Sequence, residues 1–559
     1  MSFLEDIFAQ LEKADDKVLL QELGGGETQR AGSLKSGHDL FGAIATARAF
    51  LAGRGLKKGD RCALLAQNSI QWVAMDLAII AEGLIVVPLY ARQAPAELVA
   101  MMKDCSPALI CCGDAALRDG IVENWAEAPS QVLFDDVFAH RPQSSQGAQR
   151  VGHPMPLIES DPVTIIYTSG TSGEAKGVVL TVGNVGHMLG CTSGRLGALM
   201  RNKTGQDRVY HYLPFCFAGS WIMLLTCLRR GSLLTLNTDL TKIATEMRSV
   251  APDYFLNVPA LLERMRKAVD EQLWKTGGVV LNIYSRAKAA WVRQRESHAS
   301  FADSMWLFLA RALVFPTIRK KMIGSRLKAL ISGSAPLSVD TQLYFTMLGI
   351  PVLQVYGLTE TTAICTMDDP GHVEPGRVGP AISGIEMKLG ENDEIVVRGP
   401  NVFPGYWNRP QETAKALREG WFHTGDQGEV DATGNWRIVG RIKNLIILGS
   451  GHNIAPEPIE EEVLRNLPGA QQVVLVGNGR GYLSAMVTGD VTQERVQAAL
   501  DAVNPGFPHY KQVRAFHIYP EVFSIENGLL TANGKLKRDL IATRLKDEIE
   551  EMYRVKQAS

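Results

Sequence analysis

DPVTIIYTSGTSGEAKGVVLT, residues 161–181, encloses a segment of glycines, small hydroxyls and one lysine between two β-rich apolar runs. Glycine loses more backbone freedom on folding than any other residue, so this segment is either a loose linker or a backbone that wraps closely around a ligand. A linker would lack the apolar flanks. The stretch therefore predicts a strand, a glycine loop and a second strand, with backbone N–H groups, hydroxyls and Lys176 arranged to bind phosphate oxygens. It differs from the loop G-x-x-x-x-G-K-[ST], because a strand rather than a helix follows it.

Outward from this stretch, helical and strand patterns alternate along most of the chain. On the N-terminal side the pattern predicts helices at 42–56, 70–82 and 95–104 and strands at 61–68, 84–90 and 108–112. This βαβ order is typical of an α/β fold in which helices cover parallel-rich sheets. After about residue 440 shorter strands follow, at 469–477, 481–489 and 513–520. We therefore predict a large N-terminal domain, 1–440, and a small α+β domain, 441–559.

Composition excludes some functional classes. The net charge of −1 over 559 residues gives no electrostatic basis for binding nucleic acid. The acidic start MSFLEDIFAQLEKADD is unlike a secretion signal. The sequence contains no run of 18 apolar residues, so we predict no transmembrane segment. The eight cysteines lack metal-type spacing, and Cys111 and Cys112 are predicted to be reduced core residues. A cytoplasmic location is expected.

Three further motifs accompany the glycine loop. They are QVYGLTETT at 354–362, the region from WFHTGD to EPIE at 421–460, and LTANGKLKRDLI at 530–541. With YTSGTSGEAKGV, in this order, they resemble the adenylate-forming superfamily of acyl-CoA synthetases, and specifically its long-chain fatty acyl-CoA ligase branch. The resemblance covers nearly the whole chain. It implies the fold of that superfamily, a mobile C-terminal domain, and a reaction in which ATP, a carboxylic acid and CoA give acyl-CoA, AMP and pyrophosphate.

The resemblance also implies roles for residues in the large domain. Thr168 and Glu360 would help to bind Mg²⁺, Lys176 would contact phosphate, and Tyr356 would stack on adenine. Asp426 would accept hydrogen bonds from the ribose, and Arg441 would reach the ribose or the α-phosphate. The full set implied to bind ATP or AMP is Thr168, Ser169, Gly170, Thr171, Ser172, Gly173, Lys176, Gly333, Ser334, Ala335, Pro336, Gln354, Val355, Tyr356, Gly357, Thr359, Asp426 and Arg441.

In the small domain, Lys535 matches the family lysine that stabilises the adenylation transition state, and ANG before it predicts a tight turn. The family uses one domain orientation for adenylation and another for thioester formation. Lys443 matches the hinge position. Gly449, Ser450 and Gly451 would then face CoA.

An extra helical stretch at 270–325 resembles the long-chain branch. Trp306, Phe308 and Phe315 within it are predicted to pack in a core, because apolar residues at helical spacing usually do. Phe215, Phe217, Trp221 and Gly357 are candidates for the acyl pocket. Long-chain relatives usually carry LPLxH where this chain has LPFCF, with Phe217 at the histidine position.

Two alternatives stay open at this level. One is an acyl-AMP ligase that loads the thiol of a carrier protein, since carrier and CoA end in the same phosphopantetheine group, or a ligase for another carboxylic acid. A nucleotide-binding regulator without catalysis belongs to another class, although Lys176, Glu360 and Lys535 are all chemically intact. The residues also leave open a peripheral membrane contact and a homodimer.

Overall fold

The computed structural model describes residues 2–23, 33–139, 153–169, 175–201, 204–298, 300–531 and 534–554. The strands are β1 Val18–Glu22, β2 Ser33–Ser36, β3 Arg61–Leu65, β4 Ile85–Leu89, β5 Leu109–Cys112, β6 Gln131–Leu133, β7 Pro162–Ser169, β8 Ala175–Thr181, β9 Arg208–His211, β10 Leu233–Leu236, β11 Tyr254–Asn257, β12 Ala329–Ser332, β13 Val352–Tyr356, β14 Thr366–Met367, β15 Glu386–Leu389, β16 Glu394–Arg398, β17 Leu417–Arg418, β18 Trp421–Val430, β19 Trp436–Arg441, β20 Ile446–Ile447, β21 Asn453–Ile454, β22 Ala470–Val476, β23 Leu483–Gly489 and β24 Val513–Tyr519.

The α-helices are α1 Phe3–Ala14, α2 Gly37–Ala52, α3 Ile70–Ala81, α4 Pro95–Cys105, α5 Ala115–Asn124, α6 Phe134–Phe138, α7 Val182–Leu199, α8 Ala218–Arg230, α9 Ile243–Val250, α10 Pro259–Thr276, α11 Gly278–Arg295, α12 Phe301–Leu309, α13 Phe315–Met322, α14 Val339–Met347, α15 Pro410–Ala416, α16 Glu457–Asn466, α17 Gln493–Val503, α18 Arg538–Arg544 and α19 Lys546–Arg554. A π-helical turn, Ala310–Val314, joins α12 to α13, and short 3₁₀ turns include Thr359–Thr361 and Ile442–Asn444.

The chain divides into two compact units. The first contains the described residues up to Glu386, together with Val397–Phe422 and Ala432–Trp436. The second contains Met387–Val396, His423–Asp431 and the described residues from Arg437 onward.

Two largely parallel sheets organise the first unit. One has the strand order β6-β5-β3-β4-β7-β8, and the other has the order β14-β13-β12-β11-β9-β10-β1-β2. Antiparallel pairs occur at their ends, where β8 pairs with β7, β14 with β13 and β2 with β1. The α/β prediction and the alternating elements between residues 42 and 112 are confirmed.

Burial on both faces explains the parallel strands. β4, IVVPL, is buried along its whole length, as expected for a strand covered by helices on both sides. Helix α3 is apolar almost all round, and Trp72 and Met75 lie in the main core together with Trp221 of α8. Cys111 and Cys112 are buried free thiols, as predicted.

The helical stretch predicted at 270–325 forms α11, α12 and α13, which share a separate core with α10. Phe315 is buried in this core and Trp306 is half-buried against it, so these two predictions are confirmed. Phe308 is 69% exposed, and its prediction as a core residue is wrong. Its neighbours Leu307 and Ala310 are buried and face the core, whereas the side chain of Phe308 lies on the outer face of the helix.

The second unit has its own sheet and cores. β22, β23 and β24 form a sheet with one antiparallel and one parallel pair, which matches the three short strands predicted after residue 440. Ile459 of α16 and Leu500 of α17 are buried in one core with Leu475 and Val487 of the sheet. This arrangement confirms the smaller α+β unit.

Candidate active site

The glycine loop connects β7 to β8 as the sequence predicts. Thr168 and Lys176 lie opposite each other in this hairpin, and the Thr168 hydroxyl donates to the Lys176 carbonyl oxygen at 3.5 Å. The predicted ligands Gly170, Thr171, Ser172 and Gly173 lie outside the described residues, and so does the side chain of Ser169.

Lys176 is engaged by an acidic partner. Its Nζ lies 2.6 Å from Oε2 of Glu412 in α15 and 5.4 Å from the ring centre of Tyr406. The hydrogen bond from Lys176 lowers the pKa of Glu412 to about 2. A phosphate oxygen offers the same kind of anionic acceptor as this carboxylate, so phosphate could replace Glu412 as the partner of Lys176.

Tyr406 links the hairpin to Glu360. The Tyr406 hydroxyl donates to Glu360 Oε1 at 2.8 Å, in the 3₁₀ turn that follows β13. Two backbone bonds hold this segment in place: Phe403 N–H donates to the Glu360 carbonyl at 2.9 Å, and Trp407 N–H donates to the β8 backbone at 2.7 Å. The candidate phosphate lysine and the candidate magnesium carboxylate therefore both contact one tyrosine.

Sequence reasoning missed Tyr406 and Glu412. Glu412 lies 236 positions after Lys176, and the segment GYWNRPQET carries no chemical motif that would single either residue out. Their proximity to the hairpin follows from the bridge between Val178 and Tyr406, which is a long-range backbone pairing.

The two predicted nucleotide segments lie side by side. β12 and β13 are parallel neighbours with Ser332 opposite Gln354. Segments 333–336 and 354–357 therefore lie at the carboxyl ends of two adjacent strands. Ligands in open α/β sheets bind at this edge. Gly357 is required sterically, since a Cβ there would lie 2.4 Å from the Ala363 carbonyl oxygen. Ser334 adopts a left-handed backbone with φ of 70°, which is uncommon for a residue other than glycine.

Gln354 is tied into the protein by hydrogen bonds from both its side chain and its backbone. Its side chain donates to Gln342 Oε1 at 3.0 Å and to the Arg377 carbonyl at 2.9 Å, and its backbone N–H donates to Asp368 Oδ2 at 2.7 Å. Burial raises the pKa of Asp368 to about 7. These contacts of Gln354 hold the carboxyl end of β13 in place, and Tyr356 is the last residue of that strand.

The acyl-pocket candidates separate into two groups. Phe215 and Trp221 are fully buried; Phe215 stacks on His211 with ring centres 5.0 Å apart, and Trp221 Nε1 donates to Asp76 Oδ2 at 3.0 Å. Phe217 is half-buried, and its ring centre lies 5.7 Å from that of Tyr90. Of these three aromatic candidates, Phe217 is the one with partial exposure.

Within the second unit, Asp426 and Arg441 form a salt bridge. Arg441 Nε lies 2.7 Å from Asp426 Oδ1, and the Asp426 side chain is almost fully buried. The backbone N–H of Asp426 donates to the Thr424 hydroxyl, which in turn donates to the Ile395 carbonyl at 2.7 Å. An ionised carboxylate accepts hydrogen bonds and donates none, which is the kind of group to which a ribose diol would donate.

Lys443 lies close to this pair. It sits in the 3₁₀ turn that follows β19, where partial burial and then the neighbouring Arg441 charge lower its pKa to about 8. Asp539 and Asp426 act in the opposite direction, and Lys535 adds to the lowering. Four residues singled out from two separate motifs therefore belong to one electrostatic cluster: Asp426, Arg441, Lys443 and Lys535.

Lys535 pairs with Thr531 on the other side of the predicted turn, of which Ala532 and Asn533 lie outside the described residues. Thr531 N–H donates to the Lys535 carbonyl at 2.8 Å, and Lys535 N–H donates to the Thr531 hydroxyl at 3.1 Å. Arg538 anchors the following helix, α18, by donating at 2.7 Å to the buried carboxylate of Glu460 in α16. This ion pair ties the start of α18 to α16.

The predicted CoA segment forms a turn near two aromatic rings. Gly449 N–H donates to the Arg480 carbonyl at 2.8 Å, and the Ser450 hydroxyl lies 2.9 Å from His452 Nδ1. His452 stacks on Tyr510 with ring centres 4.2 Å apart. Gly451 has a left-handed backbone, with φ of 84°.

Family models match both parts of the chain. One described as "AMP-binding enzyme" matches residues 33–407, and one described as "AMP-binding enzyme C-terminal domain" matches residues 443–557. Among curated proteins, the "Long-chain-fatty-acid--CoA ligase FadD15" of Mycobacterium bovis is 25% identical over 90% of this chain and 89% of its own. The "Long-chain-fatty-acid--CoA ligase 6" of Homo sapiens is 28% identical, over 88% and 78% respectively.

Solved structures share the fold over nearly the full length. ATP-bound MatB from Rhodopseudomonas palustris superposes with a TM-score of 0.74 at 24% identity, covering 98% of this chain and 99% of its own. O-succinylbenzoate coenzyme A synthetase (MenE) from Bacillus subtilis, in complex with ATP and magnesium ion, has a TM-score of 0.70 at 19% identity and covers 96% and 98%.

Proposed function

This chain belongs to the AMP-binding enzyme family, and we propose that it is an ATP-dependent ligase that joins a carboxylic acid to CoA. The observation that carries the proposal is the arrangement of Lys176, Tyr406 and Glu360 beside the glycine hairpin. It gathers a cation and a carboxylate next to a loop suited to phosphate.

In the first half-reaction, a carboxylate oxygen of the acid attacks the α-phosphorus of ATP. The bond to pyrophosphate breaks and acyl-AMP forms. Negative charge grows around phosphorus in this step, and preorganised cations stabilise such charge. We assign that stabilisation to Lys535, and the holding of the departing phosphates to Lys176 and the glycine loop. Tyr356 and the 333–336 segment would flank the adenine, and Asp426 with Arg441 would hold the ribose.

Mg²⁺ would complete the ATP site, with Glu360 and Thr168 as its protein ligands. Within the part of the chain that is described, no group of three His, Cys, Asp or Glu side chains could hold a metal by itself. One carboxylate and one hydroxyl, supplemented by phosphate oxygens and water, fit the way in which this hard cation is usually bound. When bound, the ion neutralises charge on the phosphates.

In the second half-reaction, the CoA sulfur attacks the acyl carbon and the thiol loses its proton. The acyl–phosphate oxygen bond breaks and AMP leaves. We assign CoA binding to the segment Gly449 to Gly451, and the change between the two half-reactions to a hinge at Lys443.

The eight cysteines of the chain are all free thiols, which supports the expected cytoplasmic location.

For the acid we propose a medium- or long-chain fatty acid. Both curated relatives described above carry that substrate class in their names. Each buried CH₂ contributes about 0.8 kcal/mol, so every two carbons that fit the pocket should raise kcat/KM roughly tenfold. The rise should stop where the pocket ends, because overpacking costs about 1–3 kcal/mol.

The test is pyrophosphate release from straight-chain acids of increasing length and from a few aryl acids, with and without CoA, followed by product mass. We expect acyl-CoA as product and a steep rise in kcat/KM with chain length. A flat profile, or a preference for acetate or benzoate, would contradict the fatty-acid assignment while leaving the ligase intact. Acyl-AMP without acyl-CoA would favour a carrier-protein thiol as the acceptor, and no pyrophosphate release from any acid would contradict the ligase itself.

A further inference from the structure

The helical insertion α10–α13 carries apolar side chains on its outer surface as well as in its core. The helix formed by α12, the π-helical turn and α13 exposes Phe301 (91%), Met305 (46%), Phe308 (69%) and Leu313 (62%). The first three recur at spacings of four and three, which places them on one helix face. The π-helical turn adds a residue to the next turn, so Leu313, five positions after Phe308, stays near that face. We call these four residues the apolar stripe.

The surroundings of the stripe are positively charged. Segment 274–324 contains nine lysines and arginines against two acidic residues, although the whole chain has a net charge of −1. One of the acidic residues, Asp303, is buried in a salt bridge with Arg293. Arg311, Lys320 and Lys321 are exposed on the same helix as the stripe. A basic helix with an apolar face complements a surface that is anionic at the headgroups and apolar beneath.

The helix is built to lie on a bilayer rather than to cross it. Residues Phe301–Met322 are long and apolar enough to span a membrane by length and composition. However, Leu307, Ala310, Val314 and Ile318 are buried in the core of the insertion. Crossing a bilayer would require these residues to leave that core, whereas lying flat would require no change in their packing.

We propose that the apolar stripe docks this protein on the surface of a bilayer that contains anionic phospholipids. The stripe enters the boundary between headgroups and acyl chains, and the neighbouring lysines and arginines keep their charges at the headgroups. The inference goes beyond the proposed ligase function and does not depend on which acid is activated.

The probes are vesicles made of equal parts phosphatidylcholine and phosphatidylglycerol, compared with phosphatidylcholine alone, in a flotation assay with the full chain. We expect binding to the anionic vesicles that weakens with salt. The double variant Phe301→Ser/Phe308→Ser should lower the partition coefficient at least about tenfold, since two aromatic rings lose their apolar contact. The triple variant Arg311→Glu/Lys320→Glu/Lys321→Glu should abolish the preference for anionic vesicles.

Val122→Ser/Ile158→Ser is the matched control, because it removes two exposed aliphatic side chains outside the insertion. It should bind vesicles as the parent does. All the variants change exposed positions, so their unfolding midpoints and pyrophosphate release with a water-soluble acid should stay at parental values. Equal vesicle binding by the parent and the Phe301/Phe308 variant would overturn the proposal. So would a parent that binds neither vesicle, or that forms a dimer lost in the same variant without binding vesicles.

Discussion

Lys176 already has an anionic partner with which a phosphate would compete. Glu412 holds its Nζ at 2.6 Å, so the carboxylate and the nucleotide compete for one cation. We expect Glu412→Gln to lower the KM for ATP by up to about fivefold with little change in kcat, because ion pairs that are partly exposed to solvent are weak. Steady-state kinetics over a range of ATP concentrations measures this.

Glu419→Gln provides the control for removing one carboxylate nearby in sequence but outside α15. It should leave the KM for ATP unchanged. A higher KM in the Glu412 variant would mean that Glu412 positions Lys176 for ATP instead of competing with it.

Lys535 is expected to act on one half-reaction. Its charge belongs near the transferring phosphoryl group and not near the later thiol attack. Lys535→Ala should therefore slow acyl-AMP formation about 10²–10³-fold, which is typical of losing one group that stabilises transition-state charge. Thioester formation from supplied acyl-AMP should stay close to the parental rate.

Lys537→Ala removes a second lysine from the same segment and should affect neither half-reaction. Single-turnover measurements of each half separate the two variants. A comparable loss in both halves for Lys535→Ala would refute the assignment.

The sequence motifs predicted which residues carry the chemistry, but they did not predict which side chains those residues contact. Asp426, Arg441, Lys443 and Lys535 do converge in one cluster. The partner of Lys176 could not be predicted, because it depends on a backbone pairing between β8 and a segment more than 200 positions away.

The 3₁₀ turn Ile442–Asn444 is the element on which the hinge hypothesis depends. Proline at position 443 would fix φ and remove a backbone donor, which restricts rotation about this turn. We expect Lys443→Pro to change the ratio of the adenylation rate to the thioester-forming rate. Single-turnover assays of each half-reaction measure the ratio.

Lys443→Ala removes the same charge without restricting the backbone, and it should alter that ratio less. Parental rates for both halves in the proline variant would place the hinge elsewhere.

Elements were predictable where hydrophobic periodicity was strong. The alternation from α2 to β5 and the β7–β8 hairpin follow from it, because buried strands and amphipathic helices leave distinct periods in the sequence. The failure at Phe308 has a physical reason. Apolar residues cover so much of α12 that their spacing cannot distinguish its core face from its outer face.

For the whole molecule, the buried carboxylate of Asp76 makes stability depend on pH. Burial raises its pKa from 3.8 to about 7, so the folded protein keeps a proton that the unfolded chain has released. The stabilising contribution of this proton is complete below about pH 4 and is lost as the pH rises through about 7. Asp368 shifts in the same direction, also through burial.

Asp76→Asn keeps an oxygen acceptor for Trp221 and removes the titration. Between about pH 4 and 7 the free energy of unfolding of the parent should fall more steeply than that of the variant, by up to about 1.4 kcal/mol per pH unit. Urea unfolding at several pH values, followed by tryptophan fluorescence, tests this.

Asp119→Asn, on the exposed surface of α5, should retain the parental slope. Parallel slopes for the parent and the Asp76 variant would mean that Asp76 does not titrate in this range.

The π-helical turn between α12 and α13 has a consequence for insertions and deletions. It contains one residue more than an α-helical turn needs, so deleting Ala312 would let the segment close as a regular α-helix. Five residues of a π-helical turn rotate the chain by about as much as four residues of an α-helix, so the deletion would leave the helix before the turn and the helix after it in nearly the same phase. Phe301 and Phe308 would then still point outward while Val314 and Ile318 pointed inward. A one-residue deletion should therefore be tolerated better in this turn than inside α12 or α13, where it would rotate one part of the helix by about 100° relative to the other.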